Sequence, residues 1–225
     1  YVLEQQPQRA VVVGSRFIGL EVAENLKARG LEVTVVEMAS QVMPALDADM
    51  AMYVEAELRK QGVSVITDDS AVCFEGKDRV EQVLLKSGKK VAADMVIVAA
   101  GVQPKVSLAQ QAGIALGVTG AIKVNTKMQT SVPNVYACGD CAEGFSLLTH
   151  APLYRPMGST ANKMGRIAGD QATGGTLEFR GVLGTGIVKV FDLTVAHTGM
   201  SEQQARKEGY AVVVCHNIKP DKTEY

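Results

Sequence analysis

Two glycines and a glutamate near the start of the chain have the types and spacing to hold a phosphorylated ligand. Gly14 and Gly19 bracket Ser15-Arg16-Phe17-Ile18, and Glu37 follows. A helix that begins just after a glycine turn presents unpaired N–H groups and a positive dipole end to a pyrophosphate. Glycines in that turn let the backbone bend and approach the phosphates. A carboxylate about 20 residues on can accept from both ribose hydroxyls of an adenosine. It would also repel a 2′-phosphate, so Glu37 predicts NADH in preference to NADPH.

The fingerprint G-x-G-x-x-G asks for a third glycine where this chain has Arg16. The middle glycine normally gives the pyrophosphate room. Three outcomes are open: the Arg16 side chain folds away into solvent, swings over a phosphate as a cation, or spoils the site. Any α/β domain can carry a glycine turn before a helix, so two glycines alone are a weak signal. The acid at Glu37 strengthens it.

Periodicity places the strands and helices around these residues. Ala10 to Val13 is a short apolar run and reads as a buried strand. Ile18, Val22 and Leu26 recur on one helical face, with Gly30 placed to end the helix in a left-handed conformation. Leu31 to Val36 is the next strand. Ala51, Val54 and Leu58 make a second amphipathic helix closed by Gly62, and Val63 to Ile66 another strand. Val72 to Phe74 and Val80 to Leu85 flank a turn at Glu75 to Arg79, a hairpin pattern. Met95 to Ala99 is an apolar strand running to Gly101. The expected fold is α/β: a parallel sheet with an inserted β-hairpin.

Three motifs in order carry a resemblance to a known family. They are Val12-Val13-Gly14-Ser15-Arg16-Phe17-Ile18-Gly19-Leu20-Glu21, then Ala99-Ala100-Gly101-Val102-Gln103-Pro104, then Val132-Pro133-Asn134-Val135-Tyr136-Ala137-Cys138-Gly139-Asp140. The chain resembles the pyridine nucleotide–disulfide oxidoreductases, and its wording is closest to the branch of coenzyme A-disulfide reductases, NADH oxidases and NADH peroxidases. The resemblance implies that Asp140, on the Gly139 turn, accepts from the ribityl chain of FAD. It implies that Glu21, one turn into the first helix, helps orient a nicotinamide, and that Gly14, Ile18, Gly19, Glu37 and Gly101 belong to the NADH site. Arg155 to Lys163 resembles the segment whose helix N-terminus, at Met157 and Gly158, faces the flavin. That positive end would stabilise charge on the reduced flavin. Without the resemblance, Asp140 reads as a turn aspartate capping a helix, and Glu21 as an acid near a helix N-terminus.

The implied organisation is a Rossmann-like NAD(P)H-binding domain over 1–101, the C-terminal piece of an FAD-binding domain over 102–160, and a linking helix with a partial α+β dimerisation domain over 161–225. Gly184 to Ala196 resembles the start of that last domain. Strands are expected at Ile187 to Phe191, Thr194 to Thr198 and Ala211 to Cys215, with a capping box at Ser201 and Gln204. Family members carry an FAD fingerprint and a redox cysteine ahead of these motifs. This chain starts at Tyr1 and ends at Tyr225 without either. It therefore reads as a fragment with no catalytic residue of its own, inactive alone and poor at retaining FAD.

Other groups carry less. Cys138 and Cys141 form C-x-x-C, but no second pair or histidine cluster completes a zinc site, and the flavin motif explains their positions. No metal is expected. Cys73 and Cys215 sit in apolar strand patterns and read as core. His150, His197 and His216 match no nucleophile motif. With 23 Lys and Arg against 24 Asp and Glu, the chain gives no electrostatic case for nucleic acid or a membrane surface. No apolar run is long enough for a spanning helix. Four cysteines without a disulfide pattern suit a reducing cytoplasm. The leading expectation is hydride transfer from NADH to FAD and on to a small-molecule disulfide, in a homodimer. Reduction of O2 or peroxide is the alternative, and a non-catalytic nucleotide-binding or dimerisation module is a reading of another class.

Overall fold

The computed structural model describes residues 3–219; Tyr1 and Tyr225 lie outside them. The chain opens with strand β1 (Arg9–Val13), helix α1 (Phe17–Ala28), strand β2 (Glu32–Val36), helix α2 (Ala48–Lys60) and strand β3 (Ser64–Ile66). Three strands follow, β4 (Ala71–Glu75), β5 (Gln82–Leu85) and β6 (Lys90–Ala92), then β7 (Met95–Val98) and the short helix α3 (Ser107–Gln111). The second half holds β8 (Gly144–Phe145), β9 (Pro152–Leu153), helix α4 (Gly158–Ala172), β10 (Gly186–Val190), β11 (Leu193–His197) and helix α5 (Glu202–Lys207).

The central sheet has the order β3-β2-β1-β7, all parallel. The inner strand β1 is apolar from Ala10 to Val13 because both of its faces are covered. Ala10 and Val12 face one core together with Leu20, Ala23 and Leu26 of α1 and Ala51, Val54 and Leu58 of α2. Val11, one residue out of phase, faces a second core with Val36, Val83, Leu85 and Ala93. The two-residue alternation of a strand thus divides β1 between helices on one side and strands β4 to β6 on the other. α1 ends at Ala28, and Gly30 follows at φ +87°.

Four expectations are corrected. The inward face of α1 is Leu20, Ala23 and Leu26, while Ile18 is 57% exposed; the expected face was right at Leu26 and partly at Val22, but at the helix start the buried residues are Gly19 and Leu20, one and two positions on. The inserted hairpin is a three-stranded antiparallel sheet of its own, β4-β5-β6, because Lys90–Ala92 adds a strand beyond the turn at Gly88. Residues 211–215 form no strand, since no strand among the described residues pairs with them. Cys73 and Cys215 are both exposed: Cys73 lies on β4, whose central residues face solvent, and Cys215 on the unpaired stretch. The capping box is half made. Ser201 Oγ accepts from Gln204 N at 3.2 Å.

The second half folds around its own cluster, with Ala109, Ile122, Met128, Ala137, Met164, Phe179 and Val182 among its buried residues. β10 and β11 form a ribbon that returns to the first core through Val188 and Val190. The backbone N–H of Phe191 donates to Glu24 of α1 at 2.9 Å, which fastens the ribbon there. No helix among the described residues is long and apolar enough to cross a membrane.

Candidate functional site

The parallel strands β1, β2 and β7 deliver Gly14, Glu37 and the segment leading to Gly101 to one edge of the sheet. Gly14 stands at φ +103°, a conformation costly for any residue with a Cβ. Its N–H donates to Val36 O at 2.8 Å, and a Cβ there would overlap the Ala99 carbonyl. The turn is therefore wedged between β2 and the end of β7. Gly19 is buried in the first turn of α1, and a Cβ on it would strike the Gly14 carbonyl. These two glycines do what the fingerprint asks of its first and last: a tight turn, and close packing of helix on strand.

Arg16 occupies the N-cap of α1 in an extended conformation, φ −79° and ψ −176°, with no side-chain cap. Any residue adopts that backbone, so the missing glycine costs the turn nothing. The Arg16 side chain is exposed. The first N–H groups of α1 stay uncapped by any side chain, and no acid occupies that turn. This leaves an electropositive helix end. Ile18 and Glu21 are exposed on the following turn.

Glu37 is only 8% exposed. Its Oε2 accepts from Ser15 N at 2.9 Å and Ser15 Oγ at 2.6 Å, and its Oε1 from Ala39 N at 2.9 Å. Burial pushes its carboxyl up, but the N–H of Ala39, the hydroxyl and N–H of Ser15 and the N–H of Met38 together bring it below the ordinary carboxylate range. Ser15 itself is fully buried and also receives Met43 N at 3.2 Å. The sequence singled out Glu37 but not Ser15, which reads as filler in the fingerprint; a hydroxyl inside a glycine turn was the available signal.

A second group gathers around α4. Cys138 leads into a 3-10 turn, Gly139–Cys141, with Gly139 at φ +78°. That turn packs on the N-terminal part of α4, where a Gly139 Cβ would lie 3.5 Å from the Ala161 Cβ. Tyr154 donates its hydroxyl to Asp140 O at 2.9 Å, while the Asp140 side chain is exposed and makes no hydrogen bond or ion pair among the described residues. Met157 is the extended N-cap of α4 and Gly158 its first residue, and this helix end also lacks a side-chain cap. A free carboxylate beside an uncapped helix start offers an acceptor and a set of donors to a ligand with hydroxyls. Burial, with Cys141 beside it, pushes the Cys138 thiol up, which disfavours the thiolate that redox chemistry needs.

Arg155 links the two groups. Its guanidinium donates to Gly184 O at 3.0 Å and stands 3.5 Å from His197 Nε2. Burial lowers its pKa and the Arg16 charge lowers it further, so both arginines serve one electropositive region. His197, read from sequence as an ordinary core or surface residue, lies with its ring 6.0 Å from that of Phe17. Burial and then Arg155 lower its pKa, which favours the neutral ring. A cleft of about 840 Å³ lies between α2, β11 and α5, bordered by Leu46, Asp47, Tyr53, Arg155 and His197. It is on the helix side of the first unit and does not include Gly14 or Glu37.

Residues 1–153 match the pyridine nucleotide-disulphide oxidoreductase family. The chain is 41% identical over 224 residues to an NAD(P)H sulfur oxidoreductase (CoA-dependent) of Pyrococcus furiosus, covering 98% of this chain and 50% of that protein. It is 41% identical over 215 residues to an NADH oxidase of Methanocaldococcus jannaschii, covering 95% and 48%. Among solved structures it resembles reduced CoADR-RHD of Bacillus anthracis, with TM-score 0.90, 45% identity, and coverage of 94% of this chain and 38% of that one. The chain spans about half the length of the curated relatives it matches.

Proposed function

The chain belongs to the pyridine nucleotide-disulphide oxidoreductases, and on that premise we propose that it supplies the NADH-binding domain and part of the flavin site of an enzyme passing a hydride from NADH to FAD and on to a disulfide-type acceptor. The observation that carries this reading is the convergence at one sheet edge of the Gly14 turn, the uncapped start of α1 and the ionised Glu37. In this reading residues 1–101 form the nucleotide domain, 102–160 part of the flavin domain, and 161–225 part of a dimerisation domain.

The residues present fit a dinucleotide. The space a Cβ would fill at Gly14 and Gly19 is what lets the helix start close to the turn. The N–H groups opening α1 bind the pyrophosphate. The exposed Arg16 would swing over a phosphate as a cation. Glu37 accepts from the adenosine ribose and disfavours a 2′-phosphate, which sets NADH above NADPH. Glu21 orients the nicotinamide end, with Gly101 and Ile18 bordering it. At the second group Asp140 accepts from a flavin side-chain hydroxyl, and the α4 terminus at Met157 and Gly158 faces negative charge. The two cofactors when bound supply the hydride and electron chemistry; the protein holds them in place and sets the field around them. The names of the relatives, a CoA-dependent sulfur oxidoreductase and an NADH oxidase, support a sulfur-containing acceptor, in this reading a disulfide, first and O2 or peroxide second. A homodimer in a reducing cytoplasm completes the reading.

Calorimetric titration of NADH, with NADPH in parallel, tests it. Micromolar binding of NADH with much weaker NADPH is expected. Absence of heat with either nucleotide would remove the nucleotide-binding assignment.

A further inference from the structure

Glu37 was expected to accept from both ribose hydroxyls. Its bonds leave it less capacity than that. A carboxylate has about four acceptor directions. Ser15 takes two on Oε2, through its N–H at 2.9 Å and its hydroxyl at 2.6 Å, and Ala39 N takes one on Oε1. The Met38 N–H also acts on the carboxylate, though not at hydrogen-bond geometry, so at most one direction on Oε1 remains for a ligand.

The Ser15 hydroxyl is tied on its other side too. It accepts from Met43 N at 3.2 Å, and Met43 has φ +46°, an unfavourable conformation for a side chain of that size. Met43 lies in the segment that follows Glu37 and leads to α2. The Met43 N–H is shared with the Ser15 carbonyl, also at 3.2 Å, so the buried Ser15, through hydroxyl and backbone together, joins the glycine turn, the acid, and the loop after β2. The charged groups adjoining Glu37 are Arg16 on the turn and Asp68 and Asp69 after β3. The last two donate their backbone N–H groups to the carbonyls of Ala39 and Glu37, and the Asp69 carboxylate is occupied by Ser87.

We propose, on the basis of the nucleotide-binding reading above, that Ser15 is the positioning residue for nucleotide preference: its hydroxyl pins the Glu37 carboxylate so that it meets one ribose hydroxyl and cannot turn aside for a 2′-phosphate. A glutamate side chain free to rotate would withdraw from a phosphate at modest cost. Held on both oxygens, it keeps its charge where the phosphate would sit. The N–H groups of Ser15 and Ala39 hold one direction on each oxygen, and the Ser15 hydroxyl adds the shortest of the three bonds; its share of the discrimination acts through the acid.

The experiment is calorimetric Kd measurement for NADH and NADPH at pH 8 with the 225-residue chain, Ser15→Ala, Glu37→Gln and the double variant. Ser15→Ala is expected to lower the ratio Kd(NADPH)/Kd(NADH) about tenfold. In the Glu37→Gln background the same substitution should move the ratio less than about twofold, because the charge it positions is gone. Ser15→Gly, which keeps the backbone N–H, should reproduce Ser15→Ala and replaces it if the alanine variant does not fold. An unchanged ratio in a folded Ser15 variant overturns the proposal. So does a full effect of Ser15→Ala in the Glu37→Gln background, which would mark the serine as structural only. If the parent chain binds NADH but does not discriminate, the inference fails while the site stands. If it binds neither, the underlying reading fails and the inference falls with it.

Discussion

Gly19 packs against the carbonyl of Gly14 with no room for a side chain between them, so the start of α1 and the end of β1 hold each other at backbone contact. The cost of losing that contact can be ranked. Gly19→Ala drives a methyl into the carbonyl and should destabilise by about 1–3 kcal/mol. Gly14→Ala adds a left-handed backbone to a clash with Ala99 and should cost more. Gly30→Ala meets nothing within 4 Å and bears only its φ of +87°, about 1 kcal/mol. Urea denaturation of the three variants should give that order; a Gly19→Ala midpoint equal to wild type would refute the packing argument.

Glu37 yields a pH prediction with a definite sign. Burial raises its carboxyl, but four hydrogen-bond donors outweigh it, so the folded-state pKa is depressed. Stability from such a group is present above the unfolded value, about 4.3, and is lost as pH falls through the lower folded value. NADH affinity should therefore be flat from pH 8 to pH 5. NADH is the ligand to titrate, because a phosphate monoester changes charge near pH 6 by itself. An affinity midpoint near pH 6 would mean the carboxyl is not held ionised. Glu37→Ala also leaves the donors of Ser15 and Ala39 facing a void, and about 1–3 kcal/mol of stability should go with it.

The first unit was largely legible. Continuous apolar runs marked β1 and β7, and spacing of three and four marked α2, because those patterns are what two-sided and one-sided burial require. Gly14, Gly19 and Glu37 were legible as a constellation for the same reason. The face of α1 was misplaced because Ile18 is apolar yet lies on the exposed side of the first turn, while its neighbours Gly19 and Leu20 are buried. β6 was missed because Lys89 and Lys90 look like a solvated turn, whereas only one face of that strand is covered. Residues 211–215 have strand propensity, but a strand needs a neighbour. Ser15 was invisible as a functional residue because its importance lies in a hydrogen bond to a residue 22 positions away.

Asp47 precedes α2, yet its carboxylate serves another helix. Its two oxygens accept from Glu202 N at 2.7 Å and Gln203 N at 2.9 Å, while Ser201 takes Gln204 N. α5 has six residues, too few to be stable alone. Asp47→Ala should speed amide exchange at Glu202 and Gln203 about fivefold to tenfold, equivalent to roughly 1 kcal/mol, and leave Val54 and Leu58 of α2 unaffected. Equal exchange in wild type and variant would show that α5 is held by other contacts.

Asp94 governs the acid limit of the sheet that aligns the site. It lies just before β7 and accepts from Arg9 Nη2 at 2.7 Å, Arg9 N at 2.9 Å and Gln8 N at 3.1 Å, while its own N–H donates to Arg9 O. The Arg9 guanidinium hydrogen bond, working against burial and helped by the two backbone N–H groups, holds its carboxyl at about 2. Because that value is depressed, the stabilisation is complete above the unfolded pKa of about 3.9 and disappears as pH falls towards 2. Asp94→Asn should cost about 1 kcal/mol at pH 7, given how far solvent screens the Arg9 side of the pair. The cost should shrink between pH 4 and pH 2 as wild type loses the same charge. Urea midpoints of both proteins at pH 7, 4 and 2.5 decide this. A constant difference at all three would mean that geometry, not ionisation, is what Asp94 contributes. A difference that closes would tie the β1–β7 register, and with it the placing of Gly14 beside Ala99, to one ion pair at the opposite end of the strands.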